Sequence, residues 1–342
     1  MSTPDRPLQK LGFLTIGLFD EHDPLAGHES TLAVLELGEQ LGFDSAWLRH
    51  RHLQFGISSP VAVLAAATQR TKRIALGTAV TPLGAENPFR LAEDLATVDI
   101  LSGGRLNPGF SVGPPMNFDR FKEHLYPGTW EQEDLGPGRL ERLLHHLRGE
   151  PVSGFAGTEG FESFSDHVQP HSPGLADRVW YGAAGLSSVG WAGEHGLNLL
   201  TSSVVRAEED DDFARIQLSH IRRFRELHPL GEAARVSQGL VVVPTDSATP
   251  DQARRYHAYA ESRLPRSRQP VGPGRMLFAA DLVGTSEEIA AALWAHVAFR
   301  EVDEVAFALP FSFEHADYVQ ILTDIATRLG PLLGWAPASG SD

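Results

Sequence analysis

Cysteine is absent from this chain of 342 residues. That excludes disulfide scaffolds, thiolate zinc sites, iron–sulfur clusters and cysteine nucleophiles. Positive charge is scarce: 29 Lys and Arg stand against 44 Asp and Glu, a formal charge of −15. An acidic surface repels phosphate backbones and anionic lipid, so neither nucleic acid nor a membrane surface is an expected partner. No stretch comes near the roughly 18 uncharged apolar residues of a membrane-spanning helix. Residues 1–10 are polar and lack the apolar run of a secretory signal, so a soluble cytoplasmic protein is expected. Several fingerprints are missing as well. There is no Gly-x-Gly-x-x-Gly after a strand, no Gly-Lys-Ser/Thr phosphate loop, no Gly-x-Ser-x-Gly elbow and no His-Glu-x-x-His. The commonest nicotinamide, kinase, hydrolase and metalloprotease readings fall with them.

What the chain does have is alternation. Hydrophobic residues make up 42% and charged residues 21%, enough apolar material for a large core at this length. Short runs rich in β-branched and aromatic residues alternate with helical periodicity. Strands are predicted at 12–19, 45–49, 74–79, 106–112, 179–183, 197–200, 235–243 and 304–309. Helices are predicted at 30–41, 60–69, 88–101, 139–148, 187–195, 210–227, 250–263, 286–299 and 315–329. About eight strand–helix units in one chain predict an α/β protein, a (β/α)8 TIM barrel. The competing doubly wound sheet wants a glycine-rich first turn, and residues 20–24 contain no glycine. Two segments break the rhythm, after the fourth and seventh strands. Residues 114–172 are rich in Gly, Pro and acidic side chains, and 265–284 are basic, then Pro/Gly-rich. Long aperiodic loops on a barrel belong to the strand-end face that carries active sites, so the first reads as an insertion and the second as a mobile lid. A single domain over 1–342 accommodates all of this.

The run Arg49-His50-Arg51-His52 closes the second strand. Two histidines in alternation point the same way and would suit half a metal site, with Asp20, Glu21, His22 and Asp23 as distant helpers. Two flanking arginines oppose a divalent cation there, and no metal is expected. The acidic run 208–212 opens a helix and reads as solvated charge complementing its dipole. Helix 60–69 is small and apolar nearly all round, which points to deep burial or a subunit contact.

Six blocks together carry a family resemblance: LGFDSAW at 41–47, HRHLQFG at 50–56, ALGTAV at 75–80, NPFRLAED at 87–94, DILSGGRL at 99–106 and AAGLSSVGWA at 183–192. In order and spacing they resemble the bacterial luciferase-like flavin-dependent monooxygenases, over about 12–196 and again at the closing strand and helix. The resemblance implies a barrel using reduced FMN, supplied by a separate flavin reductase, and O2. A small organic substrate would be oxygenated through a flavin C4a-peroxide. His50 matches the catalytic histidine, and an imidazole can give or take a proton near neutral pH. Ala79 and Val80 match a non-proline cis peptide against the flavin ring. Ser111 is carried over as a cofactor contact, and Gly185, Leu186, Ser187 and Ser188 match a flavin-phosphate turn at a helix start. Phe19, Trp47, His52 and Phe110 are expected as pocket walls. The chain departs from the pattern at Val112, where a phosphate-binding arginine would stand, leaving Arg178 or another residue to compensate or the cofactor weakly held. It departs again at Arg49, where luciferases carry a glutamate. The family also implies a homodimer through the region of helix 60–69. A deazaflavin-dependent oxidoreductase transferring hydride is the alternative, and a non-catalytic flavin-binding barrel a second. The substrate is not named by any of these residues.

Overall fold

The apolar runs assemble because parallel strands buried on both faces need no alternation. In the computed structural model, which describes residues 7–337, Lys10–Thr15 and Ser45–Leu48 are buried almost throughout. They pair in parallel, with Gly12 opposite Ser45, and Lys10 pairs on the other side with Glu304 of Glu304–Ala308. Ten strand segments form one curled parallel sheet. From one end the order is Thr81–Pro82, Gly109–Ser111, Trp180–Ala183, Asn198–Thr201, Val236–Leu240, Glu304–Ala308, Lys10–Thr15, Ser45–Leu48, Ala75–Thr78 and Leu106–Asn107. The two ends of that order are pieces of the same two stretches. The 75–82 stretch is divided at the Ala79–Val80 peptide, and the 106–111 stretch at Pro108, which has no N–H for the ladder. Leu76 pairs with Leu106 in one half and Thr81 with Phe110 in the other.

Helices follow the strands and are started by local chemistry. The first begins at Pro24 rather than residue 30, because the Asp23 carboxylate accepts from Ala26 N and Pro24 supplies a preset first turn. Asn87 caps Pro88–Ser102 by accepting from Phe89 N and Arg90 N, and Gly103 ends it with φ 71°. Asp212 caps Phe213–Leu227, so the acidic run lies before that helix instead of in it. The closing helix His315–Asp324 widens into a π turn at Ile325–Leu329.

Two expectations about the loops are corrected. Within 114–172 there is a short helix, Lys122–Leu125, and an antiparallel hairpin of Gly157–Glu159 with Glu162–Phe164. Within 265–284, Pro265–Arg268 is helical, Met276–Phe278 pairs antiparallel with Val204–Arg206, and Leu282–Gly284 pairs in parallel with Val242–Pro244. The second half of the expected lid is therefore stitched to the body by backbone hydrogen bonds. Those short strands were illegible because their partners lie tens of residues away. Residues 1–6, part of the polar start, lie outside the described residues. No helix among the described residues is long and apolar enough to cross a membrane.

Beside a small second cluster of Val205, Ala207, Ile216 and Leu277, most of the core forms one large cluster. Trp47 lies inside it, 1% exposed, edge-on to Trp180 at 5.5 Å, its indole N–H donating to Ser45 Oγ at 2.9 Å. A side chain at Gly77 would collide with the Trp47 ring, so the absence of a Cβ there is what admits it.

Candidate active site

Residues at or just beyond the carboxyl ends of the strands surround a cavity of about 680 Å³. They include Leu14, Arg49 to His52, Ala79, Val80, Ser111, Gly182, Ala184, Thr201, Gly239 and Ala306. The volume lies in the range of small-molecule and cofactor sites. Parallel strands with connecting helices leave their carboxyl ends open to loops, which is why the chemistry gathers on that side.

His50 is 5% exposed, and among the described residues neither ring nitrogen has a partner within strict hydrogen-bond geometry. Burial and the adjacent His52, opposed by the Ser58 backbone, push its pKa down to about 4. At neutral pH its imidazole is therefore uncharged, carrying one N–H and one lone pair. His52 also lines the cavity, its ring 4.4 Å from that of His50, and burial depresses its pKa. The Ala79–Val80 peptide, where the resemblance placed a non-proline cis bond, is cis. Both residues line the cavity, as does Ser111. A Cβ on Gly182 would stand 2.7 Å from Val80 Cγ1, so glycine leaves room for Val80 at that wall.

The expected phosphate turn is placed elsewhere and is filled. Gly185, Leu186, Ser187 and Ser188 do not line the large cavity. Leu186 borders a separate hollow of about 210 Å³ with Arg206, Glu208 and Asp210. Leu186 N donates to Glu208 Oε2 at 2.8 Å, and a Cβ on Gly185 would lie 2.9 Å from Glu208 Oε1. Ser188 Oγ turns back to donate to Gly185 O at 2.8 Å. The helix start thus holds a carboxylate from the chain itself, the kind of group that free N–H donors favour. Arg178 does not compensate for Val112. It donates to Asp99 Oδ2 at 2.5 Å and Leu106 O at 3.1 Å, and does not reach the cavity.

Three expected wall residues are corrected. Trp47 is core, as described above. Phe110 is fully buried on the opposite side of its strand from Ser111, because successive strand side chains alternate. Phe19 stacks on His28 at 5.1 Å and meets Phe55 edge-on, outside the cavity. The walls are instead supplied by side chains that sequence reading passed over, among them Tyr259, Met276, Phe278 and Phe311. Arg263, Arg266 and Asp281 join them. The basic start of the 265–284 segment was the only sequence signal for any of these. Among the described residues, no group of three or more His, Asp or Glu is arranged to hold a metal ion.

The sequence model of a family described as luciferase-like monooxygenase matches residues 11–305. Among curated proteins, the chain is similar to 4-hydroxyprotoasukamycin monooxygenase of Streptomyces nodosus subsp. asukaensis, 40% identical over 84 residues, 23% of each chain. The matched stretches span from about a quarter to about half of the curated relatives' lengths. Among solved structures, monooxygenase RslO1 from Streptomyces bottropensis superposes with a TM-score of 0.71 at 18% identity, covering 94% of this chain and 99% of that one. The oxygenating constituent of 3,6-diketocamphane monooxygenase from Pseudomonas putida, in complex with FMN, gives 0.67 at 14% identity, covering 95% and 98%. At such identities the likeness shows the fold.

Proposed function

The chain belongs to the luciferase-like monooxygenase family, and from that premise we propose that it is a flavin-dependent monooxygenase. It takes reduced FMN from a separate flavin reductase and uses O2 on a small organic substrate. The observation that carries the reading is His50: a buried, uncharged imidazole lining a cavity of about 680 Å³ together with the cis Ala79–Val80 peptide.

The residues present suit a flat tricyclic ring. Ala79, Gly182, Ala184, Gly239 and Ala306 keep the strand-end walls low, and Ser237 Oγ is buried there without a partner among the described residues. Ala79, Val80 and Ser111 would flank the ring. Gly185 to Ser188 would take the phosphate once Glu208 moved aside, since the same N–H donors already hold a carboxylate. A bound reduced flavin supplies the electrons and the carbon at which oxygen is activated. The chain's own part is proton control and dryness. His50 can hold a proton on one nitrogen and accept one at the other, beside whichever substrate oxygen reacts. Met276, Phe278 and Phe311 exclude water, and the 265–284 segment would act as lid through its first half, where Val271 pairs only with Met276 of the same segment. His50→Ala should lower turnover by about 10²–10⁴-fold with reduced FMN and O2 in a stopped-flow assay. Unchanged turnover would remove His50 from the mechanism. Tight binding of deazaflavin with no oxygen consumption would favour the hydride-transferring alternative.

We read the ten segments as eight staves, counting each interrupted strand once. Every stave then has two neighbours, which supports a closed (β/α)8 barrel in a single domain. A homodimer through the region of helix Pro60–Arg70 is supported by large apolar side chains left exposed beside it. Phe89, Ile100 and Leu101 are 40–53% exposed on the adjacent helix Pro88–Ser102, and Phe89 and Ile100 share a face. Light scattering should give twice the chain mass at micromolar protein, and a monomer mass would refute the pairing.

A further inference from the structure

Four guanidiniums reach the cavity from two distant parts of the chain. Arg49 and Arg51 follow strand Ser45–Leu48, Arg263 ends helix Pro250–Arg263, and Arg266 sits in Pro265–Arg268. Among the described lining residues Asp281 is the only carboxylate, and it is committed to Arg263, whose Nη2 donates to its Oδ1 at 3.2 Å and whose Nε contacts its other oxygen. The lining thus carries a net charge of +3 in a protein whose total is −15.

The three other arginines meet only soft partners. Arg49 lies over the Phe311 ring at 5.6 Å and Arg266 over Phe278 at 4.4 Å, while Arg51 Nη1 meets Met116 Sδ at 3.0 Å. The Nε atoms of Arg51 and Arg266 are buried with no hydrogen-bond acceptor among the described residues. Burial and the three neighbouring guanidiniums hold Arg49 down to about 10. A chain with 44 carboxylates has ample means of pairing these cations and uses one. Crowded, half-desolvated guanidiniums with open N–H forks are complementary to a planar or tetrahedral oxyanion, which they bind with charge-assisted bonds.

We propose that Arg49, Arg51 and Arg266 form an oxyanion subsite, so that a small molecule held in this cavity is anchored by a carboxylate, sulfonate or phosphate head group. On the monooxygenase reading above, on which this rests for its chemistry, the substrate is then an organic acid whose head group is gripped beside His50. The same subsite chemistry would serve the terminal phosphate of FMN instead if Glu208 keeps the Gly185–Ser188 turn closed to it.

The two sources separate by calorimetric titration of the whole chain without reductase. Hexane-1-sulfonate and hexanoate are compared with 1-hexanol, and FMN with riboflavin. An acid substrate predicts that the six-carbon acids bind at least about 10-fold more tightly than the alcohol. Arg51→Gln and Arg266→Gln would then lower acid affinity by about 10- to 100-fold and leave hexanol unchanged. If the phosphate is the anion, the same variants abolish a preference for FMN over riboflavin instead. Preferences that survive both substitutions, or no preference for an anion in either pair, overturn the subsite. Arg266→Lys should restore part of the affinity, because charge returns without the fork. Should the glutamine variants not fold, the wild-type melting temperature decides: it must rise with hexane-1-sulfonate and not with equal hexanol. Anion binding intact but no oxygen consumption with reduced FMN would sink the monooxygenase reading and leave the subsite standing.

Discussion

Between pH 7 and pH 4.5 the folded protein should lose about 2 kcal/mol of stability through His50 alone. The imidazole is held neutral by burial with a pKa near 4, against 6.5 for a free side chain. In that interval the unfolded chain takes up a proton that the folded chain refuses, so unfolding gains about 1.4 kcal/mol for each pH unit between the two values. The sign follows directly: the contribution is complete above pH 6.5, shrinks as pH falls, and is exhausted below about 4, where both states are protonated. The assay is urea denaturation of the wild type and His50→Gln at half-unit steps. The depressed histidines His146, His220 and His296 titrate in both proteins and cancel in the difference, while His52, its ring 4.4 Å from that of His50, is controlled by repeating the pair in a His52→Gln background. The wild type should lose about 2 kcal/mol more than the variant across the interval. Parallel curves would show that His50 is solvated or paired in solution, and would remove the free imidazole on which the proposed chemistry rests.

Glu208→Ala should tighten FMN binding by at least about 10-fold, because it clears the N–H donors of the Gly185–Ser188 turn and removes a like charge. Flavin fluorescence titration checks this, and unchanged or weaker binding would place the phosphate elsewhere. Asp99 is fully buried and accepts from Ser172 Oγ and Arg178 Nη2, both at 2.5 Å, and from Leu106 N at 3.1 Å. Asp99→Ala leaves those donors stranded and should cost about 3 kcal/mol in urea denaturation. A loss below about 1 kcal/mol would mean that water replaces the carboxylate.

Of the site, the sequence revealed what is local and hid what is assembled. His50 and His52 were legible because strand-end position and imidazole chemistry are both properties of one short run. Ala79–Val80 was legible through its block ALGTAV. Trp47 and Phe110 were misread because aromatic character says nothing about which face of a strand turns to a cavity, and Ser111, one residue on, takes the lining position. That the Gly185–Ser188 turn already holds a carboxylate was hidden, because Glu208, more than twenty residues along, reads as solvated charge until the chain folds it onto Leu186 N.

The alternation of apolar runs and helical periods, with caps such as Asp23, Asn87 and Asp212, determined by itself that this would be a parallel α/β protein, since propensity, capping and burial act over a few residues. Only the tertiary structure decided the charge of the cavity. Arg49 and Arg266 are more than two hundred positions apart, and their mutual field exists only where the curled sheet brings two loops to one mouth. Electrostatic energy depends on distance in space and on desolvation, and neither quantity is written along a chain.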